Sequence, residues 1–211
     1  MTNLDQTVLL CPERLGEVFL DGVEDVMGLQ AMQAVFDQAG LPHVPAPLFY
    51  RNDLGRVLSA VVKVYGLQAG YGLALCTGRA CFKYGIMAFG AELGLDELKF
   101  RLKPPAVRIN DGLDLLARIF HQSYGTVIRI DQDLHRYYWV MERGVVFSGE
   151  SVCLTIGHLV TGVLQEFLYW AGGGKNYVIE VHECTPKNEE RSATTGGTPA
   201  FSIEIDKRPL D

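Results

Sequence analysis

The spacing of apolar residues along this chain changes its period, and each change marks a change of element. In the front part the period is helical. Val26, Leu29 and Phe36 recur at helical spacing among Gln30, Gln33 and Gln38, so Val23 to Ala39 reads as one helix with Gly40 as its stop. Asn52 or Asp53 caps the next, which runs to about Val64 with Leu54, Val57, Leu58, Val61, Val62 and Tyr65 as its buried stripe. Leu67 to Leu93 is a long apolar segment studded with glycine, and Asp111 to Ser123 is a further amphipathic helix with Leu113, Leu116, Ala117 and Phe120 inward. Thr126 to Ile130 and Arg136 to Met141 then read as strands joined by the polar turn Asp131-Gln132-Asp133. Ser148 to Ser151 caps a helix through Trp170, and Tyr177 to Cys184 and Ala200 to Asp206 are the closing strands. Thr7 to Leu10 and Glu17 to Leu20 read as short extended pieces. The prolines of Leu41 to Pro47 and of Lys103-Pro104-Pro105 interrupt regular structure. Helices first and hairpins later predict an α+β fold in one domain spanning residues 1–211.

Three stretches could carry function. Gly70, Ala74 and Gly78 recur every four residues, so on a helix they strip bulk from one side and let another helix or a flat ligand approach. Each glycine costs a helix about 1 kcal/mol against alanine, so the spacing answers a packing need. Arg79, inside the same apolar helix, needs an acidic partner or serves as a clamp for a ligand carboxylate. Phe82 follows on that helix, and Tyr137, Tyr138 and Trp139 form an aromatic strand that suits either a core or the wall of a flat-ligand pocket. On the C-terminal strand, alternation places Tyr177, Ile179 and Val181 on one face and Glu180, His182 and Cys184 on the other. With Cys153 from the preceding helix, that second face offers a zinc-compatible donor set of Cys153, Glu180, His182 and Cys184, or simply a polar strand face. His158 lies opposite Cys153, Ile156, Val160, Leu164 and Phe167, toward solvent or a partner.

Composition narrows these readings. Hydrophobic residues make up 48% of the chain, enough for a thick core and for an apolar cavity or a hydrophobic dimer face as well. The net charge of −6 without a basic cluster excludes a nucleic-acid footprint. Five dispersed cysteines without a CxxC suit a reducing compartment, and no basic-then-apolar leader opens the chain, so a cytoplasmic protein is expected. The greasiest window, Val57 to Cys76, carries Lys63 and Gln68 and is a poor membrane span, which leaves peripheral membrane contact open. Neither a dinucleotide fingerprint, a P-loop nor a nucleophile elbow is present.

The order of VCLTIGHLVTGVLQEFLYW, AGGGKN and YVIEVHECT, with LGEVFLDGVEDVMGLQAMQAVFDQAGL in front and VYGLQAGYGLALCTGRACFKYG in the middle, resembles the 4-vinyl reductase domain family. The resemblance implies an antiparallel sheet and helices enclosing an apolar pocket, with kinship to the small subunits of TRAPP tethering particles. It also implies dimerisation through the N-terminal helices, here residues 1–50, and a ligand-binding core over 51–211. Its sensing branch resembles a zinc site of an acid and cysteines. This chain has Val181 at the acid's position and Thr198-Pro199-Ala200 where a second cysteine is expected, so zinc is not expected.

The function expected on this basis is non-catalytic carriage of a hydrophobic, tetrapyrrole-like molecule between the glycine-rich helix and the sheet. The ligand residues would be Arg79, Gly70, Ala74, Gly78, Phe82, Tyr138 and Trp139. The setting would be pigment or photosystem biogenesis, with photosynthetic-complex proteins as partners and a homodimer as the unit. The alternatives are a vinyl reductase acting on chlorophyll precursors and a ligand-free dimeric interaction module.

Overall fold

The computed structural model describes residues 12–42, 51–142, 150–183 and 199–210. Among these residues seven helices and four strands follow in chain order: α1 Pro12–Met27, α2 Leu29–Ala39, α3 Arg51–Tyr65, α4 Leu67–Phe89, α5 Leu98–Arg101, α6 Pro105–Tyr124, β1 Ile128–Gln132, β2 Arg136–Glu142, α7 Glu150–Ala171, β3 Tyr177–Glu183 and β4 Pro199–Pro209. The class is α+β, with an antiparallel sheet of strand order β1-β2-β4-β3 packed against helices in one domain.

Two expectations about the front of the chain are corrected. Glu17 to Leu20 is not extended but lies within α1, where Val18, Phe19 and Val23 share a buried helical face. The helix expected over Val23 to Ala39 is two helices, because Gly28 adopts φ 76° and ψ 158° between them. Only glycine occupies that region without strain, so the chain can turn there and nowhere nearby. Gly66 repeats the device between α3 and α4, with φ 81° and ψ 168°. Lys103-Pro104-Pro105 does separate two helices, α5 and α6, but α6 begins at Pro105, several residues before the expected Asp111. Pro105 occupies the first turn, where a missing N–H loses no helical hydrogen bond. Thr7 to Leu10 and most of Leu41 to Pro47 lie outside the described residues.

The sheet presents two unlike faces. Tyr137, Trp139 and Met141 of β2 and Phe201, Ile203 and Ile205 of β4 are buried against the helices. Arg136 and Tyr138 of β2, Glu204 and Asp206 of β4 and Glu180 and His182 of β3 take the outward face, as alternation requires. The helix α7 threads between the sheet and α4. Its segment Val152–Ala171 is long and apolar enough to cross a membrane, yet 72% of its most apolar window is buried inside the fold, the pattern of a core helix.

The turn between β1 and β2 is held by one carboxylate. Asp133 accepts hydrogen bonds from the backbone N–H of His135 at 2.7 Å and of Arg136 at 2.8 Å, and from the Tyr138 hydroxyl at 2.8 Å. These donors favour the charged form and pull its pKa from 3.8 down to about 2. A carboxylate depressed on folding adds stability that is present above its unfolded value and lost as pH falls through its folded one. Asp133→Ala should therefore lower Tm at neutral pH and flatten the fall of Tm between about 3.8 and about 2. Thermal melts of both proteins across that interval check the sign.

Candidate functional site

Helix α4 is the spine of the molecule and uses its two halves differently. Its N-terminal half carries the small residues. A Cβ at Gly78 would overlap the Leu159 carbonyl oxygen of α7 and lie 2.9 Å from the Val163 nitrogen. Reciprocally, a Cβ at Gly162 of α7 would overlap the Leu75 carbonyl oxygen and lie 3.0 Å from the Arg79 nitrogen. Two glycines thus face each other's backbone, and α4 and α7 cross at a separation that no side chain permits. Gly70, one end of the stripe, meets α3 instead: a Cβ there would lie 2.9 Å from a Val62 methyl carbon. Ala74 between them is 2% exposed. The stripe is filled by the protein's own helices and leaves no slot for a flat ligand, so Gly70, Ala74 and Gly78 are packing residues.

Further along the same face, toward the C-terminal end of α4, the helix borders a cavity of about 120 Å³. Its walls are mostly helical: Leu15, Val18 and Phe19 of α1, Phe82, Gly85 and Ile86 of α4, Leu116, Ile119 and Phe120 of α6, and Leu159, Val163 and Phe167 of α7, with Leu93 and Leu95 from the turn after α4. The expected position between the glycine-rich helix and the sheet is corrected by this geometry. Helix α7 fills that interval, and the space opens where α1 and α6 diverge across α4. Part of the wall comes from α1, so the segment expected to serve dimerisation also builds the pocket.

Glycine shapes the cavity as well. A Cβ at Gly85 would meet nothing nearer than a Val18 methyl carbon at 3.9 Å, so this turn of α4 borders open space. At Gly112 of α6 the missing side chain is replaced by the Phe167 ring, which closes the cavity floor. Phe82 packs edge-on against Phe167 with ring centroids 5.9 Å apart. Among the described lining residues the only side chains with polar atoms are those of Cys81 and Tyr124. Burial pushes the Cys81 thiol up to about 12, with no cation beside it to favour the thiolate. Burial raises the Tyr124 phenol too. Both groups are therefore neutral at physiological pH, and neither is an activated nucleophile.

The remaining residues singled out from the sequence lie elsewhere. Arg79 is half exposed, and its Nε donates to Glu166 of α7 at 3.0 Å, with Lys83 3.7 Å from the other oxygen of the same carboxylate. It is an ion-pair residue at the helix crossing and does not line the cavity. Arg79→Ala should cost about 1 kcal/mol or less, because Lys83 stays near Glu166 and the pair is partly solvated. Ligand affinity should be unchanged, whereas loss of affinity with Tm intact would show a clamp. Tyr138 points outward from the sheet to Asp133, and Trp139 is fully buried with Phe120 edge-on at 6.1 Å; neither lines the cavity.

Of the expected donor set, the structure brings together Glu180 and His182 and adds Glu204 of β4, their ligand atoms lying within 4.8 Å of one another. Cys153 is on α7, packed against the core, and Cys184 lies outside the described residues. Glu204 also accepts from Arg136, which reaches Asp206 at 2.8 Å as well, so one cation already pairs with two carboxylates of this corner. His158 stacks on Tyr71 of α4 with centroids 4.5 Å apart, and partial burial lowers its pKa.

Fold and site together define a helix-rich α+β domain built around an apolar chamber. Solved structures similar to it include H-NOX domains. A mutant H-NOX domain of T. tengcongensis matches with a TM-score of 0.59 at 10% identity, covering 95% of this chain and 100% of that one. An oxygen-binding H-NOX domain related to soluble guanylate cyclases matches at 0.57 and 11% identity over 95% and 97% of the two chains. A structure concerned with tuning haem redox potential through porphyrin distortion matches at 0.56 and 11% over the same shares. No family model matches the chain, and no curated protein does. The expected 4-vinyl reductase and TRAPP kinship is thereby corrected, and the chlorophyll-biosynthesis and photosynthesis setting falls with it.

Proposed function

We propose that this protein is a non-catalytic receptor for a small apolar molecule, which it holds in the helical cavity and to which it responds by occupancy rather than turnover. The observation that carries this reading is the cavity wall: hydrocarbon and aromatic side chains on five helices and the turn after α4, with two neutral polar groups among them. A site of that composition binds by excluding water from apolar surface and offers no charge to a transition state. An engineered apolar cavity of about 150 Å³ stays dry and takes up benzene, so about 120 Å³ suits a guest near that size.

The matched H-NOX structures raise haem as a guest, and the residues of this cavity do not fit it. None of the described histidines lines it: His121 is at the end of α6 with Nδ1 3.2 Å from the Thr126 carbonyl, His135 is in the β1–β2 turn, His158 stacks on Tyr71, and His182 is on the outer sheet face. Cys81 and Tyr124 could in principle ligate iron, but burial without a cation opposes both anions. No arginine or lysine lines the cavity to meet propionates. The volume is also far below the roughly 300–1,000 Å³ of sites for drug-sized ligands.

Toluene and haemin, added separately to the purified protein, test this reading. Saturating toluene should raise Tm by about 5–10 °C, as expected for roughly 2.7 kcal/mol of binding linkage in a chain of this length. Haemin should give no sharp stoichiometric absorption band. A stoichiometric haem spectrum without any response to toluene would overturn the proposal.

A further inference from the structure

We infer that the natural guest of this cavity is not a pure hydrocarbon but a benzene-sized apolar molecule carrying one hydrogen-bonding oxygen, which meets the hydroxyl of Tyr124. The inference rests on the receptor reading above and names the ligand class for the same site. Tyr124 is the last residue of α6, and its ring is held against Phe120 with centroids 5.9 Å apart. Its side chain borders the cavity together with Cys81 of α4. Burial raises its pKa, so the group is a phenol and an available O–H donor at any physiological pH.

No hydrogen bond joins that hydroxyl to another described residue; buried polar atoms of Arg108, Ser123, Thr126 and Trp139 also lack one, but none of those residues lines the cavity. Every other lining side chain is apolar apart from Cys81, whose thiol is a weak donor. A hydrocarbon guest would remove water from the Tyr124 hydroxyl and give nothing back, which carries the penalty of an unmade hydrogen bond. A guest with an oxygen at one end accepts that hydrogen bond and keeps its apolar body against Phe82, Ile119 and Phe167. A site built this way discriminates by the unmade bond: it favours the oxygenated molecule over the isosteric hydrocarbon far more than an apolar wall could. Charged guests are excluded, because no cation lines the cavity and a carboxylate there would be desolvated without a partner.

Calorimetric titration of wild type and Tyr124→Phe with phenol and with toluene tests this. Phenol should bind the wild type, and the ratio of phenol to toluene affinity should fall about tenfold in the variant, with toluene affinity equal or improved. The phenylalanine ring preserves the contact with Phe120. Should the variant nevertheless fail to fold, the Tyr124 Cζ resonance of wild-type protein labelled at that carbon gives a second readout. It should move with phenol and much less with toluene. An affinity ratio unchanged by the substitution, or a Tyr124 resonance equally indifferent to both molecules, overturns this inference and leaves the receptor reading standing. Binding of neither molecule by the wild type takes down both.

Discussion

Gly78→Ala is expected to be among the most damaging single substitutions available in this protein. The added methyl carbon would overlap the Leu159 carbonyl oxygen, and the Val163 nitrogen lies 2.9 Å away. Both obstacles are backbone, so no side-chain rotation relieves them. The helices would have to separate along the whole contact between α4 and α7, the largest interface between helices in the fold. Alanine normally favours a helix by about 1 kcal/mol over glycine; here overpacking should reverse the sign and destabilise by about 3 kcal/mol or more. Gly162→Ala should behave alike, because its methyl would overlap the Leu75 carbonyl oxygen from the opposite side. Gly72 is the control: a Cβ there meets nothing within 4 Å, and Gly72→Ala should be neutral or stabilising. Urea unfolding of the three variants checks the order. A Gly78→Ala protein as stable as the parent would mean that the two helices are not packed as described.

The second large effect is functional. Gly85→Leu should abolish binding of apolar guests while leaving the fold intact. Gly85 borders the cavity, and the nearest atom to a Cβ there is a Val18 methyl carbon at 3.9 Å. A leucine side chain would project into the space a guest occupies and replace guest contacts with its own. Filling an apolar void also recovers lost dispersion contacts, so Tm should hold or rise. The expected outcome is at least a tenfold loss of toluene affinity with Tm at or above that of the parent, read by titration and melting of the same samples. Gly85→Ala should fall between. Unchanged affinity in Gly85→Leu would place the guest somewhere else and remove the basis of the receptor reading.

These two glycines lie on one helix, seven residues apart, and the sequence does not distinguish them. Both sit among apolar residues at helical spacing. At that spacing they share a face, yet one is closed by α7 and the other opens on a cavity, and the difference depends on which distant helices pack against each half of α4. The sequence reading placed a ligand at the first and passed over the second. Phe82 was the one residue of the expected set that lines the cavity. Leu116 and Phe120 were read as inward-facing core, and they are inward, but part of what they face is empty. Tyr124 went unnoticed because an aromatic residue at a helix end is ordinary until its hydroxyl is found without a partner. The outer sheet face shows the same limit. Alternation correctly put Glu180 and His182 together, but Glu204 joins them only through the pairing of β3 with β4.

Local chemistry by itself determined the class of this protein. Helical spacing and then strand alternation specified the α+β order, and the burial patterns of α3, α6, α7 and the sheet follow from which residues prefer to leave water. It determined too that the chain carries no charge cluster for nucleic acid. The joint at Gly28, the crossing at Gly78 and Gly162, the strand order and the chamber between α1, α4 and α6 were decided by tertiary structure. The physical reason is that a hydrophobic residue records only that it is buried. Whether it presses on a neighbouring side chain or borders a void depends on the distance between helices that are far apart along the chain, and no local pattern encodes that distance.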